Sequence, residues 1–184
     1  MLKAKPFIKW VGGKSQLIEQ LEAQLPADFD NWKNVTYIEP FVGGGAMLFY
    51  MLQRYPHIRR AIINDINPDL CTCYRTVRDM PEQLIKALYE VERTYLSLKT
   101  EEDRKSYFMS VREHYNEKKL NAIENTTLFF FLNRTCFNGL YRVNKKGLFN
   151  VPFGKYANPT ICDPGTIRKD SELLQQVEIL NEDF

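Results

Sequence analysis

The chain has 184 residues, of which 44% are hydrophobic and 26% charged, and its formal net charge is +2. This balance is typical of a soluble globular domain and excludes a collagen-like or low-complexity chain. The small net charge does not by itself indicate a nucleic-acid-binding protein, so we expect any basic surface to be local.

The cysteines and the N-terminus indicate a reducing compartment. Cys71, Cys73, Cys136 and Cys162 show neither a disulfide framework nor the spacing of zinc ligands. The first ten residues, MLKAKPFIKW, lack the apolar run of a signal peptide, and no stretch approaches the length of a membrane span. We therefore expect a cytoplasmic protein with no membrane partner and no metal site.

The first 67 residues predict a strand–helix–strand unit. KSQLIEQLEAQL, which Pro26 ends, has the apolar spacing of an amphipathic helix. VTYIEP predicts a strand, GGAMLFYMLQRY a helix, and RRAIINDIN a second strand with Asp65 near its end. Such a unit implies a parallel sheet.

The rest of the chain is mostly helical in pattern. PDLCTCYRTVRD, PEQLIKALYEVERTYLSL, EEDRKSYFMSVREHYNEK and AIENTTLFFFLNRT each predict a helix. LYRVNKKGLFNVPF predicts a hairpin with NKKG as its turn, SELLQQ a short helix, and VEILNEDF a third strand. Three strands are few for a doubly wound sheet and would leave an unpaired apolar edge. We therefore favour a chain that is part of a longer protein.

Three glycines at residues 43–45, the glycine turn, follow the first strand and precede a helix. This order is typical of a nucleotide cradle. The turn does not spell GxGxxG, and Glu39 at the strand end disfavours a pyrophosphate. GGKS at residues 12–15 resembles the end of a phosphate loop, but Ile8 stands where the first glycine of that motif belongs, and no strand precedes it.

A nucleoside that carries positive charge fits the turn better. S-adenosylmethionine has a sulfonium and an ammonium, both of which suit a nearby carboxylate. Asp65, at the end of the next strand, can accept hydrogen bonds from ribose hydroxyls. The alternative is that Glu39 and Asp65 only cap helices, but two acids at successive strand ends around three glycines favour the ligand.

FIKWVGGK, EPFVGGGAM, NDIN and FFFLNRTCFNGLYRVNKKGLFNVPFGKY together resemble the Dam-type, or D12-class, DNA adenine-N6 methyltransferases. The blocks occur in order over nearly the whole chain. The resemblance implies an α/β, Rossmann-like S-adenosylmethionine-dependent methyltransferase sheet, incomplete in this chain. It also implies an inserted, mostly helical target-recognition domain with a β-hairpin. Residues 1–76 would begin the catalytic domain, 77–165 would form the recognition domain, and 166–184 would return to the catalytic domain.

The resemblance implies a cofactor site. The matching residues are Trp10, Lys14, Glu39, Phe41, Gly43, Asp65 and Ile66. Trp10 would cover the cofactor, and Lys14 would contact its carboxylate end. Asp65 matches the ribose-binding acid, and Ile66 would pack on the adenine.

The resemblance also implies contacts with double-stranded DNA. The matching residues are Lys9, Arg134, Phe137, Asn138, Leu140, Arg142, Pro152 and Lys155. Phe137 would enter the base stack where the target base is flipped out. Lys9, which matches a base-contacting lysine of GATC-specific members, would contact bases, as would Leu140, Arg142 and Pro152. The DNA sugar–phosphate backbone would be contacted by Asn138, Arg134 and Lys155. Without the resemblance, Phe137 and Leu140 would be interpreted as core residues.

The sequence lacks the family's catalytic motif, Asp-Pro-Pro-Tyr. CDPG at residues 162–165 has no second proline or aromatic residue, so it predicts a turn into a helix. In the family's order the motif would follow VEILNEDF, so we expect a chain truncated before its catalytic residues, and we assign no catalytic residue in it.

The expected function is methyl transfer from S-adenosylmethionine to N6 of adenine in duplex DNA at GATC, by base flipping. One alternative is an inactive fragment that binds DNA and cofactor, and another is a kinase-like protein built on GGKS. Restriction-modification, replication-linked marking and phage protection all remain open as roles.

Overall fold

A computed structural model describes residues 3–183, and residues 1, 2 and 184 lie outside that description. Three strands form one sheet in the order β1-β2-β3, and both pairs of neighbours are parallel. The strands are β1 (Val35–Glu39), β2 (Ile58–Asn64) and β3 (Val177–Leu180). The three predicted strands and the parallel sheet are therefore confirmed, but β2 and β3 end earlier than predicted, at Asn64 and Leu180, and Phe184 lies outside the described residues.

Seven α-helices occur within residues 3–183. They are α1 (Ile18–Glu22), α2 (Ala46–Arg54), α3 (Pro68–Asp79), α4 (Pro81–Ser97), α5 (Glu101–Asn116), α6 (Ala122–Thr135) and α7 (Pro164–Leu174). The starts of α3, α5, α6 and α7 carry side-chain caps. Asn121 and Glu124 form a reciprocal capping box at α6. Asp163 accepts from the Thr166 N–H at 3.0 Å and Pro164 follows it, which confirms the predicted turn into a helix.

The first predicted helix is wrong in extent. KSQLIEQLEAQL forms a 3₁₀ turn at Lys14–Leu17 and then the five-residue α1, and neither contains a buried residue. Leu17 and Leu21 remain 46% and 37% exposed. The apolar spacing predicted a buried face, but the segment packs against α2 with its apolar side chains only partly buried, Ile18 and Leu25 among them. A short helix without a buried face gains little stability beyond its own propensity.

The predicted hairpin is reduced to its turn. Gly147 N–H donates to Asn144 O and Asn144 N–H to Leu148 O, both at 2.9 Å, and Gly147 has a φ of +73°. The arms form one isolated antiparallel bridge, between Val143 and Phe149. Phe149 instead exchanges both backbone hydrogen bonds with the Asn116 side chain of α5, so this arm is tied to a helix.

One face of the sheet is packed and the other is open. Side chains alternate along each strand, and Ala61, Ile63 and Val177 point into the core with at most 3% exposure. Ile38 on the opposite face is 62% exposed and lies beside Ile62 in the parallel register. Within residues 3–183 no helix covers this second face, and β1 pairs only with β2.

Helix α6 forms the centre of the helical part of the molecule. It packs against α3, α4 and α5, and the four residues 129–132 are each at most 3% exposed. Phe130 stacks on Phe7 of the N-terminal segment, residues 3–10, with ring centroids 5.4 Å apart. One apolar cluster extends from Ala4 to Ile179, so the sheet and the helices position one another.

Among residues 3–183, no helix combines the length and the apolar character that crossing a membrane requires.

Candidate functional site

A cavity of about 260 Å³ lies at the carboxyl ends of β1 and β2. Ligands of open parallel sheets bind at this edge. Five of the seven predicted cofactor residues line the cavity: Trp10, Lys14, Phe41, Gly43 and Asp65. Gly12, Gly13 and the rest of the glycine turn complete much of the wall. Residues far apart in sequence therefore meet around one concave space.

The glycine turn needs its glycines for conformation and for space. Gly43 and Gly45 have φ values of +51° and +76°, which side chains rarely adopt. A Cβ at Gly43 would lie 2.9 Å from Cδ1 of Trp10, and one at Gly45 would lie 2.5 Å from Oη of Tyr74. The turn can therefore approach the rings on both sides only because it has no side chains.

Asp65 ties the glycine turn to the loop that follows β2. Its Oδ2 accepts from Gly43 N–H at 3.1 Å, and its Oδ1 accepts from Asn67 N–H at 2.9 Å. An ionised carboxylate has about four acceptor positions, so further donors can still bind to it. Asp65 therefore shapes the cavity and also offers it an acceptor.

Glu39 and Lys14 form an ion pair beside the cavity. Glu39 is 6% exposed, and its Oε1 lies 2.8 Å from Nζ of Lys14. Its Oε2 accepts from the Tyr37 hydroxyl at 3.0 Å, and burial, followed by the Glu39 charge, raises the pKa of Tyr37. Lys14 also donates to Phe41 O at 2.9 Å. The sequence suggested separate ligand contacts for the two residues, whereas the structure pairs them, with Lys14 on the cavity side.

Apolar groups surround the mouth of the site. Phe41 and Ile66 are 66% and 67% exposed, although Ile66 does not line the cavity itself. Trp10 lies over the glycine turn, and its ring is stacked 5.3 Å from that of Tyr141. Exposed apolar side chains at a cavity rim can cover a flat heterocyclic ligand.

The predicted DNA contacts form a separate surface around the loop after α6. We call residues 137–142 the α6 loop. Phe137 is 52% exposed, so it is not a core residue, and Leu140 is partly buried. Asn138 is exposed at a φ of +55°. Phe137 N–H donates to Pro152 O at 2.8 Å, which brings the two predicted contact regions together.

Arg142 projects from the end of this loop and is held by one neighbour. Its Nε donates to Asn150 Oδ1 at 2.8 Å, and its Nη2 donates to Asn150 O at 3.1 Å. A guanidinium has five N–H donors, so others remain for a ligand. Arg142 therefore combines a fixed orientation with an exposed cationic group.

The other predicted cations have different surroundings. Lys9 is exposed, with Nζ 5.5 Å from the ring centroid of Tyr156. Lys155 is exposed and pairs with Glu101 at 3.0 Å. Arg134 instead donates from Nη2 to Phe7 O at 2.7 Å, and burial lowers its pKa. This inward guanidinium joins α6 to the N-terminal segment and differs from the predicted phosphate contact.

Sequence reasoning missed three residues that support these regions. Tyr74 donates to Gly43 O at 2.9 Å from beneath the glycine turn. Asn133 bonds both Lys9 and Gly139, and Tyr141 stacks on Trp10. The only available signals were an isolated Tyr and an isolated Asn in apolar helical stretches, and a Tyr between two predicted base contacts.

The fold defines an α/β protein with a cavity at the carboxyl ends of two parallel strands, the edge at which open parallel sheets bind nucleotide-type ligands. A family model described as D12 class N6 adenine-specific DNA methyltransferase matches residues 10–184. The chain therefore belongs to the D12 class N6 adenine-specific DNA methyltransferase family.

Named relatives agree with this assignment. The chain is 47% identical over 185 residues to the type II methyltransferase M.MjaIII of Methanocaldococcus jannaschii, covering 100% of this chain and 63% of that protein. It is 36% identical to the type II methyltransferase M1.LlaDCHI of Lactococcus lactis subsp. cremoris, covering 100% of this chain and 60% of that protein. It is 33% identical to the DNA adenine methylase of Escherichia coli K12, covering 86% and 51%. The chain thus spans about half to two thirds of the length of these relatives.

Proposed function

We propose that this chain is the cofactor-binding and DNA-recognising portion of an enzyme that methylates N6 of adenine in duplex DNA, with S-adenosylmethionine as methyl donor. The observation that carries the proposal is the single cavity in which Trp10, Lys14, Gly43 and Asp65 meet. Family membership supplies the reaction class. A restriction-modification role is supported by the type II names of two relatives.

The residues at the cavity suit S-adenosylmethionine. Gly43 and Gly44 lack the Cβ atoms that would strike Trp10, so the Trp10 ring can lie close over the turn, and Asp65 can accept from ribose hydroxyls. Lys14, on the cavity side of its pair with the buried Glu39, offers a cation for the carboxylate of S-adenosylmethionine. Trp10, Phe41 and Ile66 supply apolar cover for the adenine. When bound, S-adenosylmethionine supplies an electrophilic methyl group on a positively charged sulfur.

We propose that the α6 loop and its neighbours read the DNA, with GATC as the site. Phe137 would enter the stack that a flipped adenine leaves, which its exposure supports. Lys9, Leu140, Arg142 and Pro152 would contact bases, and Asn138 and Lys155 would contact the backbone. We omit Arg134 from these contacts because its guanidinium bonds Phe7 O. Residues 77–165 would then form the inserted recognition domain, between catalytic-domain residues 1–76 and 166–184.

The chemistry needs groups that this sequence does not contain. We propose that a further segment with the Asp-Pro-Pro-Tyr motif pairs with the free edge of β1 and covers the open sheet face, where Ile38 is 62% exposed. Its Asp side chain and a proline carbonyl would accept hydrogen bonds from the two N6–H groups of adenine. N6 would then form a bond to the methyl carbon as the sulfur–carbon bond breaks, and the proton released from N6 would pass to the Asp carboxylate or to solvent.

We also infer that the protein acts in the cytoplasm. All four cysteines are free and buried, a state that a reducing compartment preserves. The proposed DNA substrate and methyl donor are available in that compartment of a prokaryotic cell.

Labelled methyl transfer tests the proposal. The chain alone and a fusion to the C-terminal segment of M.MjaIII would each be incubated with labelled S-adenosylmethionine and a GATC or scrambled duplex. We expect transfer only from the fusion and only to GATC. Transfer by the chain alone would show that residues within it replace the missing motif. A folded fusion that binds neither cofactor nor DNA would contradict the proposal, and competition by ATP for the cavity would favour the kinase-like alternative.

A further inference from the structure

Lys9 is held in place by a residue 124 positions away in the sequence. Asn133, near the end of α6, accepts from Lys9 N–H through Oδ1 at 2.9 Å. Its Nδ2 donates to Lys9 O at 2.9 Å and to Gly139 O at 3.0 Å. One amide group thus bonds both backbone groups of Lys9 and the backbone of the α6 loop.

We propose that Asn133 is a positioning residue for DNA recognition, which fixes Lys9 against the α6 loop. The inference rests on the proposed function, because it acts through the DNA contacts of Lys9 and that loop. Asn133 is 3% exposed, so it cannot touch DNA itself. Both of its donors and its acceptor oxygen are in use, which leaves the side chain one orientation. A rotated amide would set its NH₂ group against the Lys9 N–H.

Gly139 completes the contact from the other side. It is buried, with a φ of +64°, and a Cβ there would lie 2.4 Å from Cδ and 3.0 Å from Cβ of Lys9. The aliphatic stem of Lys9 therefore lies directly on the backbone of Gly139. This close approach sets the starting position of the Lys9 ammonium relative to Phe137 and Leu140.

The same arrangement reaches the cofactor cavity through the next residue. Trp10 contacts Gly43 and Gly44, and its ring is stacked on Tyr141 of the α6 loop. Fixing Lys9 therefore also restricts Trp10. We expect a cofactor analogue that fills the cavity to strengthen GATC binding, and Asn133 to be needed for that gain.

A purely structural role for Asn133 makes a different prediction. Loss of general stability lowers the amount of folded protein, and with it the binding of every duplex alike. Loss of positioning weakens binding to GATC while leaving phosphate-dominated binding to a scrambled duplex unchanged. The ratio of the two dissociation constants separates these cases, because it does not depend on the fraction of protein that is folded.

The experiment measures fluorescence anisotropy of GATC and scrambled duplexes at fixed salt, with and without S-adenosylhomocysteine. Asn133→Asp keeps the side-chain shape but replaces both donors with an acceptor. Thr135→Val is the matched control: Thr135 lies on the same helix, is 0% exposed, and its hydroxyl, the group that the substitution removes, donates to Phe131 O within α6. We expect Asn133→Asp to lower the GATC preference about tenfold, the size of one lost base contact, and Thr135→Val to keep it.

A second variant keeps the inference testable if Asn133→Asp does not fold. Gly139→Ala leaves Asn133 intact but pushes the Lys9 stem away, so we expect a similar loss of preference. Unchanged GATC preference in both folded variants would overturn the inference while leaving the proposed function intact. A wild-type chain that fails to prefer GATC would instead contradict the proposed function itself.

Discussion

The glycine turn and the α6 loop present ligands with two different kinds of surface. At the turn, the backbone forms the surface, and the buried Tyr74 and the partly buried Asp65 carboxylate hold it in place. At the loop, exposed side chains form the surface, and Phe137 is 52% exposed. The frame beneath the loop is buried and consists of Asn133 and the aromatic residues of α6.

This difference predicts how the two regions respond to substitution. We expect changes at the turn to affect both folding and the proposed cofactor binding, because the backbone atoms that form the turn also line the cavity. Changes to exposed side chains of the loop affect DNA binding with little cost in stability. The N-terminal segment touches both regions, so its anchoring influences each of them.

The largest expected effect concerns that anchoring. Asp170 of α7 is 0% exposed; its Oδ1 accepts from Lys5 N–H at 3.1 Å, and its Oδ2 has no partner among the described residues. Burial raises the pKa of Asp170 from 3.8 to about 8. Between these values the folded protein holds a proton that the unfolded chain releases, so the free energy of unfolding falls as pH rises.

We expect Asp170→Asn to remove this dependence, because the amide resembles the protonated acid. Relative to wild type, the variant should gain at most roughly 4 kcal/mol in free energy of unfolding between pH 4 and pH 7. Urea denaturation of both proteins from pH 4 to pH 9 measures it. Parallel pH profiles of the two proteins would show that Asp170 titrates normally and does not influence the segment.

The second effect sharpens the comparison at the turn. Gly12 and Gly45 have similar φ values, +74° and +76°, but a Cβ at Gly12 meets nothing within 4 Å, whereas one at Gly45 meets Tyr74 and Phe49. Both alanine variants carry the conformational strain of about 1–2 kcal/mol, and Gly45→Ala adds overpacking of about 1–3 kcal/mol. Chemical denaturation should show this extra loss. Equal losses would mean that close packing does not maintain the turn.

The third effect tests the loop. We expect Arg142→Ala to reduce discrimination between GATC and a scrambled duplex by about 1–3 kcal/mol, with unchanged stability. Lys145 is an exposed cation on the neighbouring turn. Lys145→Ala should weaken binding to both duplexes equally and should lower by about 1 the slope of log affinity against log salt concentration. Anisotropy titrations over a range of salt concentrations distinguish the two. If Arg142→Ala instead lowered the affinity for both duplexes equally, Arg142 would contact phosphates and not bases.

The smallest effect concerns the support beneath the turn. Tyr74→Phe removes the hydrogen bond to Gly43 O and should cost about 0.5–1.5 kcal/mol of stability. It also removes the oxygen that a Cβ at Gly45 would strike. Gly45→Ala should therefore be less destabilising in the Tyr74→Phe background than alone, which a double-mutant cycle measures. If the stability losses of Gly45→Ala and Tyr74→Phe were strictly additive, the Tyr74 hydroxyl would not be the group that a Cβ at Gly45 strikes.

The sequence predicted the strands, the later helices, the glycine turn and Asp65 because these depend on local signals, whereas Trp10, Lys14 and Phe41 were expected at the cavity only through the resemblance. Glycines after an apolar strand and an acid at the next strand end mark the backbone of the site directly. The pairing of Lys14 with Glu39 could not be predicted, because it depends on where two distant segments meet. The inward guanidinium of Arg134 and the three bonds of Asn133 are long-range contacts of the same kind. The first helix failed because spacing alone does not show whether a core lies beneath it.

The most direct test of the account is a calorimetric titration of this chain with S-adenosylhomocysteine, repeated with Asp65→Ala and with ATP as competitor. We expect one binding site per chain, clearly weaker binding in Asp65→Ala, and no competition by ATP. A folded wild-type chain that binds no S-adenosylhomocysteine, or that binds it independently of Asp65, would contradict the assignment of the cavity as the methyl-donor site.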